Sequence, residues 1–405
     1  MEQRVVFKEK RVEATIQLPC SKSISNRLLI INALAGSGMN PVNLSDSDDT
    51  RILQEALAGD LSRVDVGHAG TAMRFLTAYL CRVPGEHLLT GSERMQRRPI
   101  KVLVDALREL GARIEYMGQD GFPPLRIIGT ALQGKTLQVD ASVSSQYISA
   151  LMMIAPYLPG GLTLTWKGEM VSFPYVRMTA RLMRHCGADV RVYKNSIRVR
   201  ESAYSRAFDA GEPDWSAASY FYELLAVAGA GRVFLPGLRA DSVQGDREQV
   251  VLWERLGVRS VFAKGGLTLN PCPVTCRSFE ADFTGMPDVA LSFIVACCLK
   301  DIPFRVSGLR TLHVKECDRV HAVVHELAKL GYILQEETDD VLIWTGERNA
   351  PVSLVIDTYD DHRMAMSFVA AAFNFPGLII RDPGVVTKSF PRFWEQLQLF
   401  NVINN

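Results

Sequence analysis

Six segments of the chain share one pattern, in which a few small or polar residues precede a run of almost continuously apolar ones. They begin at Ser23, Ala69, Ser144, Ser216, Pro287 and Asp360. Helices that are apolar on all sides are buried in a core, so the pattern predicts six buried helices. After a short first interval their starts recur about every 71 to 75 residues, which indicates an internal repeat.

A second, amphipathic kind of helix is predicted after each buried one. Four of these segments end in a glycine, where a helix terminus favours a residue with left-handed backbone angles: Gly111, Gly187, Gly257 and Gly331. The first and last members, DTRILQEAL and FPRFWEQLQLF, are degenerate copies. Alternating runs such as HLLTG, TLQVD, LTLTW and RVFLPGL lie between the helices and predict strands.

These elements predict an α/β protein made of six βαβαββ units of roughly 70 residues each. Six units fit two domains of three, and the polar stretch FDAGEPDWSAAS at the midpoint is the natural crossover. The short first interval is explained if the strand residues before the first helix are donated to the other domain. We therefore expect one domain over residues 21–211 and a second formed by 1–20 together with 212–405.

Composition narrows the class of function. The chain has 45 Lys and Arg against 44 Asp and Glu, so no overall field attracts nucleic acid or a membrane surface, and any anion site must come from local clusters. We expect no membrane span and no signal or transit peptide before Val5. The eight cysteines show no CxxC or His-rich metal spacing, which favours reduced thiols and a cytoplasmic protein.

Lys and Arg recur at the predicted helix starts, where backbone N–H groups favour acids instead. They are Lys22 and Arg27 on the first helix, Arg98 before Pro99, Lys315 and Arg319 in KECDRVHAVVHEL, Arg363 after Asp361, and Lys388 before SFPRFWEQL. Each alone is more often a solvated surface cation. Together they predict binding of phosphates or carboxylates, because helix N-termini combined with cations bind such anions strongly.

Serine and glycine at other helix starts support the same site. Ser144, Ser145 and Gln146 offer hydroxyl, amide and backbone donors, although ordinary helix capping is an equal alternative for Ser144. Gly67 and Gly70 in GHAGTAMR would let backbone approach a ligand closely. This glycine pattern alone is weak evidence, because it matches neither a dinucleotide fingerprint nor a P-loop.

Two acids lie among the predicted cations. Asp288 begins the fifth apolar helix and could simply cap it, and Glu316 could be an ordinary first-turn acid. Beside bound anions, however, a carboxylate repels the ligand, so its presence indicates proton transfer. His362 in DHRM is the only histidine near the predicted site.

Eight stretches occur in order across nearly the whole chain: SKSISNR, AGTAMR, ERMQRRPI, SSQY, SFPY, KECDR, DDHRMAM and TKSFP. Together they closely resemble the 5-enolpyruvylshikimate-3-phosphate (EPSP) synthases, enolpyruvyl transferases of the shikimate pathway. The resemblance implies two inside-out α/β domains with buried helices and an active site in the cleft between them. It also implies that a monomer without metal or cofactor transfers the enolpyruvyl group of phosphoenolpyruvate to the 5-hydroxyl of shikimate 3-phosphate, with release of phosphate. Glyphosate, which resembles phosphoenolpyruvate, is the family's known inhibitor.

The resemblance also implies roles for individual residues. Shikimate 3-phosphate, held mainly by the first domain, would contact Lys22, Ser23, Arg27, Ser144, Ser145, Gln146, Ser172, Tyr175, Asp288, Thr311 and Lys315. Phosphoenolpyruvate would contact Lys22, Gly70, Arg98, Gln146, Arg319, Arg363 and Lys388. Lys22 would belong to the catalytic set, with Asp288 taking the proton of the 5-hydroxyl and Glu316 handling the methylene proton. Glu316 and Asp288 would thus lie in the second domain, together with three of the phosphoenolpyruvate cations.

The chain departs from the family pattern at His68, Phe75, Phe173, Thr311 and Cys317, none of which removes a charge assigned to catalysis. Three alternatives remain. UDP-N-acetylglucosamine enolpyruvyl transferases share the fold, but they usually carry a loop cysteine and KN where this chain has KS. RNA 3′-phosphate cyclases share the module, but their catalytic histidine signature is missing here. A non-catalytic anion-binding protein of the same fold would not explain Asp288 and Glu316.

Overall fold

The structure is a computed structural model that describes residues 1–36, 43–140, 144–168, 170–205 and 211–400, and the backbone of 402–404. The helices of the described residues are α1 (Lys22–Ala35), α2 (Asp48–Ala58), α3 (Gly70–Leu80), α4 (Glu93–Gln96), α5 (Lys101–Glu109), α6 (Ser145–Ile154), α7 (Phe173–His185), α8 (Trp215–Ala228), α9 (Gln249–Arg255), α10 (Ala290–Leu299), α11 (Arg319–Lys329), α12 (His362–Phe368) and α13 (Phe393–Gln398).

The strands, in chain order, are β1 (Glu2–Phe7), β2 (Val12–Thr15), β3 (Arg63–Asp65), β4 (Glu86–Thr90), β5 (Arg113–Tyr116), β6 (Leu125–Ile128), β7 (Thr136–Gln138), β8 (Leu162–Thr165), β9 (Val190–Val192), β10 (Ser196–Val199), β11 (Gly231–Pro236), β12 (Val258–Ala263), β13 (Gly266–Pro271), β14 (Phe279–Asp282), β15 (Phe304–Ser307), β16 (Gln335–Thr338), β17 (Val341–Trp344), β18 (Val355–Ile356), β19 (Leu378–Arg381) and β20 (Val402–Asn404). The predicted mixed α/β class is confirmed.

The chain forms two compact units. The first unit is Cys20–Gly211, and the second unit combines Met1–Pro19 with Glu212–Asn405. The boundary lies one residue before the position expected from the sequence, because Cys20 belongs to the first unit. Residues 208–210 of the predicted crossover lie outside the described residues.

Five four-stranded sheets are present in the described residues, and they share one topology. The first unit contains the orders β3-β4-β6-β5 and β7-β8-β10-β9, and the second unit contains β12-β13-β11-β2, β14-β15-β17-β16 and β18-β19-β1-β20. In each sheet one parallel pair, such as β3 with β4 or β14 with β15, is joined to antiparallel neighbours. This is the arrangement that a βαβαββ repeat produces, since a helix connects the parallel strands.

The apolar helices form the interior of each unit. All ten residues of α10 are buried, whereas all four residues of β16 are exposed. In the first unit α3 packs against α1 and α6, and in the second α10 packs against α8 and α12. The buried helices predicted from the sequence are therefore found where the pattern placed them. None of the helices in the described ranges is both long and apolar enough to cross a membrane.

The N-terminal strands belong to the second unit. Strand β1 lies between β19 and β20 and pairs with both in antiparallel register, with Val5 opposite Leu378 on one side and opposite Asn404 on the other. Strand β2 pairs in parallel with β11. Residues 1–19 thus complete two sheets that are otherwise made from the C-terminal half of the chain.

Three helix starts differ from the sequence prediction. Helix α5 begins at Lys101 instead of Pro99, because Ile100 has a non-helical φ of −136° and is the N-cap of the helix. Its N–H donates to the carbonyl of Gly121 at 2.9 Å. Helix α11 begins at Arg319, because Asp318 caps it, so Lys315 and Glu316 precede the helix.

The third difference concerns Lys388. It is the last residue of a 3-10 helix, Pro383–Lys388, and α13 begins only at Phe393. The interpretation of SFPRFWEQL as one helix was therefore wrong, since α13 begins only after the first four residues of this stretch.

Candidate active site

The predicted site residues lie in two clusters, one in each unit. In the first unit Lys22 is the first residue of α1, and its ammonium is 3.4 Å from a carboxylate oxygen of Asp49 on α2. The Asp49 side chain is 5% exposed. A cation at a helix N-terminus is unfavourable unless an anion lies beside it. Asp49 provides one, and sequence reasoning missed it because Asp48 and Asp49 look like ordinary first-turn acids of α2.

Arg27 lies one turn further along α1 and is buried. Its Nε donates to the hydroxyl of Thr179 at 2.7 Å, its Nη1 to the carbonyl of Ser23 at 2.7 Å, and its Nη2 to Ser149 at 3.3 Å. The guanidinium also lies over the ring of Phe75, 5.4 Å from the ring centre, a distance at which a cation is attracted to an aromatic face. Burial lowers the pKa of Arg27 to about 10.

Gly70, Arg98 and Gln146 lie near one another in the same unit. A Cβ atom at Gly70 would lie 2.6 Å from Nη1 of Arg98, so the guanidinium rests directly on the first turn of α3. The Nε of Arg98 is buried and has no hydrogen-bond partner in the described part of the chain. Gln146 donates to the hydroxyl of Thr71 at 3.3 Å, which brings the start of α6 to the start of α3.

The serines of the first unit fall into two situations. Ser144 caps α6 by accepting a hydrogen bond from the N–H of Gln146 at 3.2 Å, which is the capping alternative that its sequence left open, and Ser145 is the first residue of that helix. Ser172 precedes α7 with a left-handed backbone, φ 56°. That conformation is uncommon for a residue with a side chain and is often found at ligand sites. The carbonyl of Ser172 accepts from the N–H of Tyr175.

The second unit contains a denser cluster, which we call the carboxylate cluster: Asp288, Lys315, Glu316, Arg319, Asp361, Arg363 and Lys388. Asp288 contacts three of its cations, Lys315 at 3.4 Å, Arg319 at 3.2 Å and Arg363 at 3.0 Å. Its side chain is 19% exposed. Val289, not Asp288, is the N-cap of α10, so the capping interpretation of Asp288 is wrong.

Glu316 lies between two cations of the carboxylate cluster. One carboxylate oxygen is 2.8 Å from Arg319 and the other is 3.1 Å from Lys388. The interpretation of Glu316 as a first-turn acid is also wrong, because the residue precedes the cap of α11. Each predicted catalytic acid is therefore paired with cations, and most of these cations lie far from it in the sequence.

Arg319 is the centre of the cluster and is 1% exposed. It donates to Asp361 through Nε at 2.7 Å and through Nη2 at 3.2 Å. Burial alone would lower the pKa of Arg319, but the charges of Asp361, Glu316 and Asp288 outweigh it and raise that pKa. Asp361 also caps α12 by accepting from the N–H of Arg363 at 2.9 Å. One buried carboxylate thus fixes both arginines.

A further acid, Asp246, lies beside the cluster and was missed from the sequence. It is buried and accepts a hydrogen bond from the hydroxyl of Ser216. Burial, followed by the negative charge of Asp288, raises the pKa of Asp246 to about 7. The stretch QGDREQ gives no local signal for this environment, which arises from packing against α8.

Thr311 and His362, which the sequence also singled out, give less information about the chemistry of the site. Thr311 has a buried hydroxyl oxygen without a hydrogen-bond partner among the described residues. The imidazole of His362 is buried, and its Nδ1 is 3.5 Å from Asp361. Within the described ranges, no group of three or more His, Cys, Asp or Glu side chains is arranged to hold a metal ion.

Comparison with known proteins decides the family. The sequence model of the protein family described as EPSP synthase (3-phosphoshikimate 1-carboxyvinyltransferase) matches residues 54–397 of the chain. The chain belongs to the EPSP synthase family. A relative named 3-phosphoshikimate 1-carboxyvinyltransferase from Bacteroides fragilis is 47% identical over 390 residues, which cover 96% of this chain and 95% of the relative. One of the same name from Aeromonas salmonicida is 37% identical over 419 residues, 96% of each chain.

Solved structures support the same fold. The EPSP synthase of Acinetobacter baumannii superposes with a TM-score of 0.74 over 100% of this chain and 99% of that one, at 20% identity. A second structure of the Acinetobacter baumannii enzyme gives a TM-score of 0.72 over 98% of each chain. The resemblance that the eight motifs indicated is therefore confirmed for the EPSP synthase family and its two-domain α/β fold.

Proposed function

We propose that this member of the EPSP synthase family transfers the enolpyruvyl group of phosphoenolpyruvate to the 5-hydroxyl of shikimate 3-phosphate. The products are 5-enolpyruvylshikimate 3-phosphate and phosphate, on the route to chorismate and the aromatic amino acids. The observation that carries this proposal is the carboxylate cluster, in which Asp288 and Glu316 are each surrounded by cations, in a chain 47% identical to a 3-phosphoshikimate 1-carboxyvinyltransferase.

In the addition step Asp288 accepts the proton of the 5-hydroxyl, and the oxygen attacks the enol carbon of phosphoenolpyruvate. Lys315, Arg319 and Arg363 all lie within 3.4 Å of Asp288, and they balance its charge when no substrate is bound. The same cations attract the phosphate and carboxylate of phosphoenolpyruvate. They therefore both bind this anion and stabilise the ionised form of Asp288. Electrostatic stabilisation of this kind is a large part of many enzymatic rate enhancements.

Glu316 delivers the proton that the methylene carbon gains during addition and removes it again when phosphate leaves. A group with this role must exchange a proton with carbon while held in a fixed position. Arg319 and Lys388, at 2.8 and 3.1 Å, fix both oxygens of the carboxylate. Glu316 must therefore be protonated before addition, and it regains a proton when it takes one hydrogen from the resulting methyl group. The proton taken from the 5-hydroxyl leaves Asp288 with the released phosphate.

The first unit binds shikimate 3-phosphate through Lys22, Arg27 and the serines at the starts of α1, α6 and α7. The carboxylate of Asp49 orients Lys22. Arg27 is fixed by its three hydrogen bonds and by its contact with the ring of Phe75. Prearranged cations of this kind bind a phosphate or carboxylate at a smaller entropic cost than mobile ones. Arg98, resting on Gly70, adds a cation for phosphoenolpyruvate.

We also propose that the chain acts on these small molecules as a monomer in the cytoplasm. The proposal assigns each role to a residue of this chain and invokes no second subunit. Burial raises the pKa of the Cys81 thiol to about 12 and raises the pKa of the Cys297 and Cys298 thiols well above their usual value. Such thiols are suited to a reducing compartment.

The test is release of inorganic phosphate from phosphoenolpyruvate, measured with shikimate 3-phosphate and, separately, with UDP-N-acetylglucosamine as the acceptor. We expect release that requires shikimate 3-phosphate and forms one enolpyruvyl product per phosphate. Asp288→Asn is the control for contaminating phosphatase. Release that depends on the UDP-sugar would favour the related transferase, and binding of both anions without release would favour a non-catalytic protein.

A further inference from the structure

His313 lies outside every role assigned so far, and its surroundings are unusual. It is part of a 3-10 helix, Arg310–Val314, directly before Lys315 and Glu316. Its Nδ1 is 2.9 Å from the carboxylate of Asp318, and its Nε2 is 3.0 Å from the carbonyl oxygen of Asp339. The side chain is 24% exposed, so the ring is held from both sides yet remains within reach of solvent.

Both partners of this ring are hydrogen-bond acceptors. A carboxylate and a carbonyl oxygen have no proton to give, so each ring nitrogen must donate for both contacts to be hydrogen bonds. A neutral imidazole carries one N–H and satisfies one partner, whereas the imidazolium satisfies both. The geometry therefore matches the charged form of His313.

The two contacts span the loop that carries the proposed catalytic residues. Asp318 is the N-cap of α11 and lies on the far side of Lys315 and Glu316 from His313. The ring thus closes a short loop around these two residues. Its second contact, to Asp339, fastens the same loop to the turn between β16 and β17.

Neighbouring contacts make that turn a firm support. The N–H groups of Gly308 and Arg310 donate to the carboxylate of Asp340 at 3.3 and 3.0 Å, and the guanidinium of Arg310 is 3.1 Å from Asp339. The segment before His313 is therefore tied to the turn already. His313 extends this connection across the loop to Asp318, the cap of α11.

We propose that protonated His313 is a positioning residue, which bridges Asp318 and Asp339 and thereby holds Lys315 and Glu316 in place for catalysis. The proposal rests on the proposed function of these two residues. No contact with substrate or reacting atoms is assigned to His313, whose ring contacts Asp318 and Asp339. It acts through the loop, by limiting the positions that the ammonium of Lys315 and the carboxylate of Glu316 can occupy.

The groups around the His313 ring determine whether the bridge is gained or lost as the pH rises. Burial alone would lower the pKa of His313, but the hydrogen bond and charge of Asp318, the carbonyl of Asp339 and the carboxylate of Glu336 raise it above its usual value of 6.5. Arg310 faces the same turn, although its guanidinium is already engaged by Asp339. Since the folded pKa is the higher one, the bridge is complete below pH 6.5 and is lost as the pH rises through that folded pKa.

The experiment compares kcat and KM for phosphoenolpyruvate across pH in the unmodified chain, His313→Arg and His313→Gln, with shikimate 3-phosphate saturating. His325→Gln is the matched control, because this exposed histidine lies on α11 and its ring neighbour is His321. The imidazole signals of His313 are titrated by NMR in parallel. Amide hydrogen exchange of residues 314–318 provides a readout that does not require turnover.

We expect kcat/KM of the unmodified chain to fall on the alkaline side together with the NMR titration of His313. His313→Arg, which stays charged, should keep activity and lose that part of the profile. His313→Gln should lower kcat by about tenfold at acidic pH, the scale of one hydrogen bond to a charged group, and should speed amide exchange in the loop. His325→Gln should match the unmodified chain throughout.

Two results would overturn the proposal: an unchanged alkaline limb in His313→Arg, or wild-type kcat together with wild-type amide exchange in His313→Gln. If the unmodified chain forms no product at any pH, the proposed function fails instead. The exchange and NMR arms would then still decide whether the bridge exists, since neither depends on catalysis.

Discussion

Gly70→Ala tests the cationic site of the first unit, because the structure shows what the added methyl group meets. Its carbon would lie 2.6 Å from Nη1 of Arg98 and 3.1 Å from both Cζ and Nη2. A relaxed contact is about 3.5 Å, so the guanidinium must retreat by about 1 Å. The obstacle is the end of a flexible side chain, so the unit should fold with Arg98 displaced.

The size of the effect follows from that displacement. Misplacing a positioning group by about 1 Å can cost up to about 10²-fold in rate, so we expect kcat/KM for phosphoenolpyruvate to fall by roughly 10- to 100-fold. The dissociation constant of shikimate 3-phosphate should stay within about threefold, a change below ~1 kcal/mol. From the sequence alone, we expect the methyl group to intrude on the longer ligand first and so to weaken glyphosate much more than phosphoenolpyruvate. The structure gives the reason for the loss of phosphoenolpyruvate, which is the displacement of Arg98.

The assay measures KM for phosphoenolpyruvate and the inhibition constant of glyphosate in four forms: the unmodified chain, Gly70→Ala, Arg98→Lys and the double variant. We expect glyphosate to inhibit the unmodified chain and to lose more affinity than phosphoenolpyruvate in Gly70→Ala. In the Arg98→Lys background the added methyl group should cost much less, because the colliding guanidinium is gone. Gly384→Ala is the matched control, since its Cβ would meet open space.

Equal losses from Gly70→Ala in both backgrounds would show that the methyl group does not act through Arg98. An unchanged kcat/KM for phosphoenolpyruvate would show that Arg98 neither binds nor positions this substrate. A chain that resists glyphosate without modification would contradict the inhibitor prediction and would direct attention to Phe75, five residues along α3.

Three further changes test the second unit. Asp288→Asn should lower turnover by roughly 10²–10⁴-fold, the usual scale of acid–base catalysis, while calorimetry shows shikimate 3-phosphate binding nearly intact; wild-type turnover would leave Asp288 only a charge-balancing role. Glu316→Gln should slow exchange of the phosphoenolpyruvate methylene hydrogens in deuterium oxide, and unchanged exchange by NMR would exclude Glu316 as the proton carrier. Glu223, fully buried on α8, has a pKa that burial raises well above 4.5, against a smaller lowering by Ser292. The unfolded chain releases this proton above pH 4.5 while the folded chain keeps it, so the free energy of unfolding should fall with rising pH, by at most about 1.4 kcal/mol per unit. In denaturation experiments on Glu223→Gln, the free energy of unfolding should not show this fall with pH. An equal fall in both chains would show that Glu223 is not the group responsible.

The elements of the fold could be predicted because their signals are local. An apolar run such as that of α10 has one stable environment, a core, and the glycines after α5, α7, α9 and α11 all have positive φ of 97 to 102°. The start of α5 was misplaced because Ile100 has a non-helical φ of −136°, and the acceptor of its N–H, the carbonyl of Gly121, lies outside the segment.

The site residues were found as residue types but not as an arrangement. The sequence indicated that Asp288 and Glu316 differ from ordinary acids, yet a capping role of Asp288 could be rejected only once the structure showed Val289 as the N-cap of α10. Nor did the sequence indicate that Arg363, seventy-five residues further on, lies 3.0 Å from Asp288. Asp246 and His313 gave no signal at all. Their environment is created by partners on other elements, and spacing along one segment carries no information about such partners.

The position of β1 imposes an order on how the chain can mature. As the polypeptide leaves the ribosome, residues 20–211 emerge as one continuous stretch with all their partners, so the first unit can fold while synthesis continues. Residues 2–7 emerge earlier still, yet their neighbours β19 and β20 are the last strands to be made.

The first strand must therefore wait, unpaired, for almost the whole of translation. A chain that stalls or ends before β19 would contain a finished first unit and a strand β1 that lacks both of its neighbours. An exposed sheet edge of this kind promotes aggregation, so premature termination near the C-terminus should be more harmful to solubility than the small number of missing residues suggests.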